Sequence, residues 1–141
     1  MSATPCDEAV LRQAQLPASI LYILRFEGLA VAALTAVLYA RTGASWWLFA
    51  GLWLAPDLSM LGYLGGPFWG ARIYNSVHAY ATPATLGIAA LVLGAGSLVP
   101  IAIVWANHIA VDRLLGYGLK CQAGFGWTHL GPAGRTRRQP A

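Results

Sequence analysis

Charge is what this sequence has least of. Charged side chains make up 10% of its 141 residues and hydrophobic ones 57%, against roughly 25% charged in ordinary soluble domains. A chain of this size, with room for one compact unit, cannot cover a water-facing surface with so few ions, so lipid is the expected solvent. Cysteine is scarce as well. Cys6 and Cys121 stand near opposite ends without a Cys-x-x-Cys spacing, which argues for reduced thiols on the cytosolic side over a disulfide framework. A basic leader is missing, because Asp7 and Glu8 precede the first basic residue, Arg12. The first apolar run is therefore expected to stay as an anchor and not to be cleaved as a signal peptide. A basic stripe is missing too: Arg135, Arg137 and Arg138 crowd the C-terminus and long stretches elsewhere carry no charge. That pattern fits a juxtamembrane tail and excludes a nucleic-acid surface.

What remains is apolar sequence in span-sized pieces. Crossing the hydrocarbon core takes about 20 helical residues, and four stretches qualify, at about 19–40, 45–64, 68–93 and 98–119. Arg41-Thr42-Gly43, Gly65-Gly66-Pro67 and Gly94-Ala95-Gly96-Ser97 separate them, and glycine and proline there are turn formers. Links this short force neighbouring helices to run antiparallel. The expected fold is all-α, a transmembrane four-helix up-down bundle with a cytoplasmic segment at 1–18 and a basic cytoplasmic tail at 120–141. Arg12, Arg25, Arg72, Arg113, Lys120 and the tail arginines fall on the side of the termini and only Arg41 opposite, so both termini are expected in the cytoplasm. Trp46 and Trp47 then mark the outer interface, and Phe68 and Trp69 the inner one. Gly28, Ala32, Ala36 and Ala40 form a small-xxx-small ridge suited to close helix contact. Asp57 and Asp112 each precede a Leu-Gly-Tyr exit (Leu61-Gly62-Tyr63 and Leu115-Gly116-Tyr117), as two hairpins related by an axis along the membrane normal would.

Ionisable groups inside lipid are costly and tend to mark a site. At 1.5 Å per residue, Arg25 and Glu27 lie roughly 8–12 Å into the first span, and Asp57 about 10 Å from the exit of the second. On the same scale His78 lies about 15 Å into the third span, and His108 and Asp112 about 10–16 Å from the end of the fourth. All share the cytoplasmic half. Tyr74, Asn75 and His78 fall on one helix face, as do His108 and Asp112. Pro56 removes a backbone hydrogen bond just before Asp57, which predicts a helix break with Asp57 capping the inner half.

Three readings of this cluster stay open. Asp57, His78, His108 and Asp112 are the ligand types of a divalent metal such as Zn²⁺, Mn²⁺ or Fe²⁺, able to activate water with Arg25 or Arg113 holding a lipid phosphate. Alternatively, His78 and His108 hold a haem in an electron carrier. In the third, Asp57, Asp112, Arg25, Arg113 and Glu27 neutralise one another and fix helix register, or line a non-catalytic ligand pocket. Outside the cluster, Arg72 is expected to snorkel, Tyr63 and Tyr117 to anchor at the interface, and His129 to sit in a solvated loop or fold back over the inner mouth.

The motifs Arg25-Phe26-Glu27-Gly28-Leu29, Ala55-Pro56-Asp57-Leu58-Ser59-Met60-Leu61-Gly62-Tyr63, Tyr74-Asn75-Ser76-Val77-His78, His108-Ile109-Ala110-Val111-Asp112-Arg113, Gly116-Tyr117-Gly118-Leu119-Lys120 and Thr128-His129-Leu130-Gly131 resemble, in this order, a bacterial membrane family. That family is catalogued as a domain of unknown function, number 4260. The resemblance runs from Arg25 to Gly131. It implies a small multi-span protein of the bacterial cytoplasmic membrane and no particular activity. Where the family pattern continues with a tyrosine–proline pair, this chain has Cys121-Gln122. The residues expected to act are Asp57, His78, His108 and Asp112, with Arg25, Glu27 and Arg113 as charge partners and Tyr74, Asn75 and Lys120 as substrate-binding and hydrogen-bonding groups. The expected role is a metal-dependent enzyme on a lipid or small amphiphile; a non-catalytic assembly protein, with a membrane-protein partner or as a homo-oligomer, is the alternative.

Overall fold

The computed structural model describes residues 16–122 and 126–132. Cys6, Asp7, Glu8, Arg12 and the tail arginines lie outside them. Five α-helices are described: α1 (Ala18–Thr42), α2 (Trp46–Trp53), α3 (Pro67–Val77), α4 (Ala81–Val92) and α5 (Val99–Leu115). A 3₁₀ segment, Ala55–Gly65, follows α2, and a single 3₁₀ turn, Gly96–Leu98, leads into α5. Three stretches are long and apolar enough to cross a membrane: Ala18–Thr42, Trp46–Gly65 and Gly96–Leu115. Their outer faces carry exposed Ile23, Phe26, Leu34, Val37, Trp47, Leu58 and Leu61, the pattern expected of helices solvated by lipid.

The second stretch changes geometry midway. Pro56 has no N–H to donate, and the segment that contains it, Ala55–Gly65, runs as 3₁₀ for 11 residues, far beyond the usual few. At about 2.0 Å per residue, against about 1.5 Å in α2, the combined stretch reaches the roughly 30 Å of a hydrocarbon core. Close packing on α3 holds the segment in place. A Cβ at Gly70 would lie 2.3 Å from the Tyr63 ring, and one at Gly62 would lie 3.0 Å from Ile73.

The third stretch is not the continuous helix expected over 68–93. It breaks at His78–Tyr80 into α3 and α4, of 11 and 12 residues. Side chains satisfy the carbonyls freed by the break. Trp105 Nε1 donates to Val77 O at 2.8 Å, Arg113 Nη2 to His78 O at 3.0 Å, and Thr82 Oγ1 to Ser76 O. Irregular backbone at membrane depth is tolerated where protein groups meet it in this way.

Helix α5 is the hub, packing on α1, α2 and α4. Gly28 allows the closest approach: a Cβ there would sit 2.7 Å from Leu114 N and 2.9 Å from Ala110 O. Further along α1 the buried row is Gly28, Thr35 and Tyr39. The small-residue ridge is therefore corrected at its C-terminal end, where Ala40 is exposed and the larger Thr35 and Tyr39 are buried. Asn107 ties three elements together, its Nδ2 donating to Ala32 O and Thr35 Oγ1, both at 2.9 Å, and its Oδ1 accepting from Trp53 Nε1 at 3.0 Å. The last helix also ends sooner than the expected Leu119. Gly116 adopts a left-handed φ of 89°, and the Tyr117 N–H closes on Asp112 O at 2.8 Å, a glycine C-cap.

Past this cap the chain folds back as a strap. Trp127–Thr128 and Gly131–Pro132 form a two-residue antiparallel pair, β1 and β2, and Lys120 bridges to Thr128. The basic tail expected from residue 120 thus begins as packed structure, with Lys120, Cys121, Thr128 and Leu130 buried.

Candidate functional site

Three elements each deliver a ligand-type side chain to one point. Asp57 comes from the start of the 3₁₀ segment, His78 from the break after α3, and His108 from the middle of α5. Their atoms form a triangle: His78 Nε2 to His108 Nε2 is 3.3 Å, His108 Nε2 to Asp57 Oδ1 3.4 Å, and His78 Nε2 to Asp57 Oδ1 3.5 Å. Ligands at about 2.0–2.2 Å around a tetrahedral ion are about 3.3–3.6 Å apart. The triangle matches one face of such a site. Both imidazoles are buried. Asp112, one turn beyond His108, places Oδ2 at 3.7 Å from His78 Nε2 and 3.8 Å from His108 Nε2. The two aspartates thus reach the same pair of nitrogens, although one leaves a 3₁₀ segment and the other an α-helix.

Supporting contacts orient the histidines. His78 Nδ1 lies 3.1 Å from Tyr74 O; donation to that carbonyl leaves the Nε2 lone pair facing the triangle, the usual arrangement of a ligating histidine. Ser59 Oγ stands 3.5 Å from the same Nδ1. The Tyr74 ring stacks on His78 at 3.7 Å and 10°, and its hydroxyl donates to Asp112 Oδ2 at 3.3 Å. Tyr74 therefore steers two members of the cluster at once. Trp53 packs edge-on against His108, with ring centres 5.0 Å apart. His108 Nδ1 is buried with no hydrogen-bond partner among the described residues.

The strap packs against α3 beside the site. Asn75 grips the Lys120 peptide from both ends, Nδ2 donating to its carbonyl at 2.9 Å and Oδ1 accepting from its N–H at 2.7 Å. Lys120 Nζ lies 5.4 Å from the centre of the Tyr74 ring. Burial pushes its pKa down, while Asp112 and Asp57 pull it back up. The Leu119 N–H donates to His129 Nδ1 at 2.8 Å, and the His129 N–H to Leu119 O at 3.0 Å. Partial burial, with the charge of Arg113, lowers the His129 pKa. A Cβ at Gly118 would meet that ring at 2.6 Å, so the strap seats only over glycine.

The remaining expected site residues stand apart from the triangle. Arg113 is used on the carbonyls of His78 and Tyr117, at 3.0 and 2.8 Å. Arg25 packs against Gly116, close enough that a Cβ there would be 2.8 Å from its Nη2. Glu27 is exposed on α1. Among the described residues none of the three forms an ion pair with Asp57 or Asp112, which both lie within 4 Å of the two histidines. Sequence reasoning passed over Asn107, Trp53 and Trp105. An asparagine amid an apolar span carries the same cost signal as a charge and was legible; the two tryptophans give no comparable sign.

A haem does not fit between His78 and His108. Two axial histidines stand on opposite faces of a porphyrin, whereas these nitrogens are in contact at 3.3 Å with carboxylates filling the space beside them.

The family model described as Domain of unknown function (DUF4260) matches residues 21–133, and the chain belongs to that family. No curated protein and no solved structure matches it.

Proposed function

We propose that this family member is a four-span bundle of the bacterial cytoplasmic membrane, with both termini in the cytoplasm, whose Asp57, His78 and His108 hold a divalent metal ion for hydrolysis of an ester or phosphoester in an amphiphile. The observation that carries the reading is the triangle of ligand atoms with edges of 3.3–3.5 Å. Two further features support it. Asp57 and Asp112 each bring a carboxylate oxygen within 3.4–3.8 Å of both imidazole Nε2 atoms, a set of donors for which a divalent cation is a natural counter-charge at membrane depth. Three protein ligands with a fourth position left open also distinguish a reactive site from a structural one.

When bound, such an ion supplies Lewis-acid polarisation of the scissile group. Asp112, with Oδ2 at 3.7 and 3.8 Å from the two nitrogens, would take the proton of the attacking water. The Tyr74 hydroxyl holds the Asp112 carboxylate in place. Lys120, a buried residue of the strap, has Nζ 5.4 Å from the centre of the Tyr74 ring and brings a positive charge near the site for an anionic headgroup.

Elemental analysis of gently purified protein, beside the His78→Ala, His108→Ala double variant, tests the reading. About one transition-metal ion per chain, lost in a folded double variant, is expected. Metal-free wild-type protein that also fails to take up Zn²⁺, Mn²⁺ or Co²⁺ would sink it and favour the non-catalytic assembly role.

A further inference from the structure

A cavity of about 270 Å³ opens beside the triangle. Ala55 and Pro56 wall it from the second stretch, Val77 from the end of α3, and Ile101, Val104 and Trp105 from α5. No charged side chain lines it. We propose that this groove seats one hydrocarbon chain, so that the substrate is a single-chain amphiphile whose polar head reaches Asp57, His78 and His108 while its tail stays at membrane depth. The inference deepens the hydrolase reading and rests on it for the role of the head.

The wall is continuous with the triangle. Pro56 precedes Asp57 and Val77 precedes His78. On α5, Ile101, Val104, Trp105, His108 and Asp112 recur at three- and four-residue steps, a single helix face. A chain lying along that face would end within one helical turn of His108, since Val104 and Trp105 of the lining stand four and three residues before it. The size of the groove selects the occupant. A cube of 270 Å³ would be about 6.5 Å on a side, too narrow for a helix of a partner or a second copy, which is about 10 Å across. Drug-sized ligands fill roughly 300–1,000 Å³, so the groove suits one tail and not a whole two-chain lipid. Trp105 cannot turn its polar edge into the groove, because its Nε1–H is held by Val77 O at 2.8 Å. That bond keeps the wall apolar.

The test uses the full chain in nanodiscs and a hydroxamate carrying a ten-carbon alkyl chain with a terminal diazirine. Ala55 is exposed at the rim, so Ala55→Phe narrows the groove without touching a ligand residue. Photolysis is expected to label Ile101 or Val104 above the lipid-facing control Leu91–Leu93, and Ala55→Phe to cut that label by about tenfold or more, the scale of filling an apolar pocket. The two proteins share one bilayer, so partitioning of the chain into lipid cancels. Labelling no stronger than at Leu91–Leu93, or unchanged in Ala55→Phe, overturns the proposal. The absorption of Co²⁺-loaded protein with acetohydroxamate reports the triangle separately: groove labelling without a cobalt signal keeps the chain site and discards the metal.

Discussion

Tyr74 offers the sharpest test of how the site is organised, because one side chain performs two separable tasks. Tyr74→Phe removes only the hydroxyl that donates to Asp112 Oδ2 and leaves the ring stacked on His78. The lost bond is long, 3.3 Å, where strong hydroxyl–carboxylate bonds are about 2.5–2.7 Å. Its contribution should lie at the weak end for groups that orient ligands, whose removal weakens metal affinity about 10–100-fold. We therefore expect about a tenfold loss, equivalent to about 1.4 kcal/mol, with thermal stability close to wild type. Tyr74→Ala also removes a ring that is 1% exposed, and aromatic truncation in a core costs about 3–5 kcal/mol, so that variant should lose fold as well as metal. The assay is chelator competition for Zn²⁺ or Co²⁺, with thermal unfolding followed in the same nanodiscs. Tyr74→Phe binding metal as tightly as wild type would show that Asp112 takes no part in holding the ion. Tyr74→Phe as damaged as Tyr74→Ala would show that the hydroxyl supports the fold and not the ligand set.

Three further outcomes follow from particular contacts. Asn107→Leu removes three hydrogen bonds, each worth on average about 0.6 kcal/mol within a membrane, so it should cost about 2 kcal/mol in reversible detergent unfolding without changing the cobalt spectrum; undiminished stability would contradict its role as the tie between α1, α2 and α5. Gly28→Val should destabilise by about 1–3 kcal/mol or more, because its Cβ meets backbone, whereas Gly51→Ala, with nothing within 4 Å of the new carbon, should be close to neutral; equal effects would refute the close approach of α1 to α5. His129 accepts a hydrogen bond only while Nδ1 is unprotonated, and its folded pKa lies below the ordinary 6.5. The unfolded strap therefore binds the proton more readily, and docking is complete above that value and lost as pH falls through the folded one. The hydrogen-exchange protection factor of the Leu119 amide, with the intrinsic pH dependence of exchange divided out, should fall on acidification below pH 6.5, and an unchanged factor would rule His129 out as the latch.

Much of the site was legible because lipid makes polar residues conspicuous. Asp57, His78, His108 and Asp112 stood out by depth alone, and they meet at one point because each sits where α5 or a broken helix turns it inward. The break before Asp57 was visible in Pro56, whose missing N–H permits no other outcome. The break at His78 has its sign in Pro83, which lacks the N–H that would bond the Ala79 carbonyl and whose ring crowds it. The carbonyls freed there are met by Thr82 close by and by Trp105 and Arg113, distant in sequence. Arg25, Glu27 and Arg113 illustrate the opposite limit. Their depth matched that of the cluster, but depth does not specify azimuth: α1 turns Glu27 outward and carries Arg25 to the cap of α5, while Arg113 is drawn to carbonyls that only the break exposes. The strap was half visible, since Gly118 and His129 were noted while their contact depended on a reversal of the chain that hydropathy does not record.

The 3₁₀ segment ties the length of the second stretch to the direction in which Asp57 points. Rewinding Ala55–Gly65, 11 residues, into α-helix would shorten it by about 0.5 Å per residue, or about 5–6 Å in all. Such a change would also turn Asp57 away from the histidines by about 20° for each residue rewound between them and the fixed end of the segment. Bilayers differ in thickness by about that many ångströms from one compartment or lipid composition to another. A thick bilayer would favour the stretched form, in which Asp57 completes the triangle, and a thin one would favour rewinding, which withdraws it.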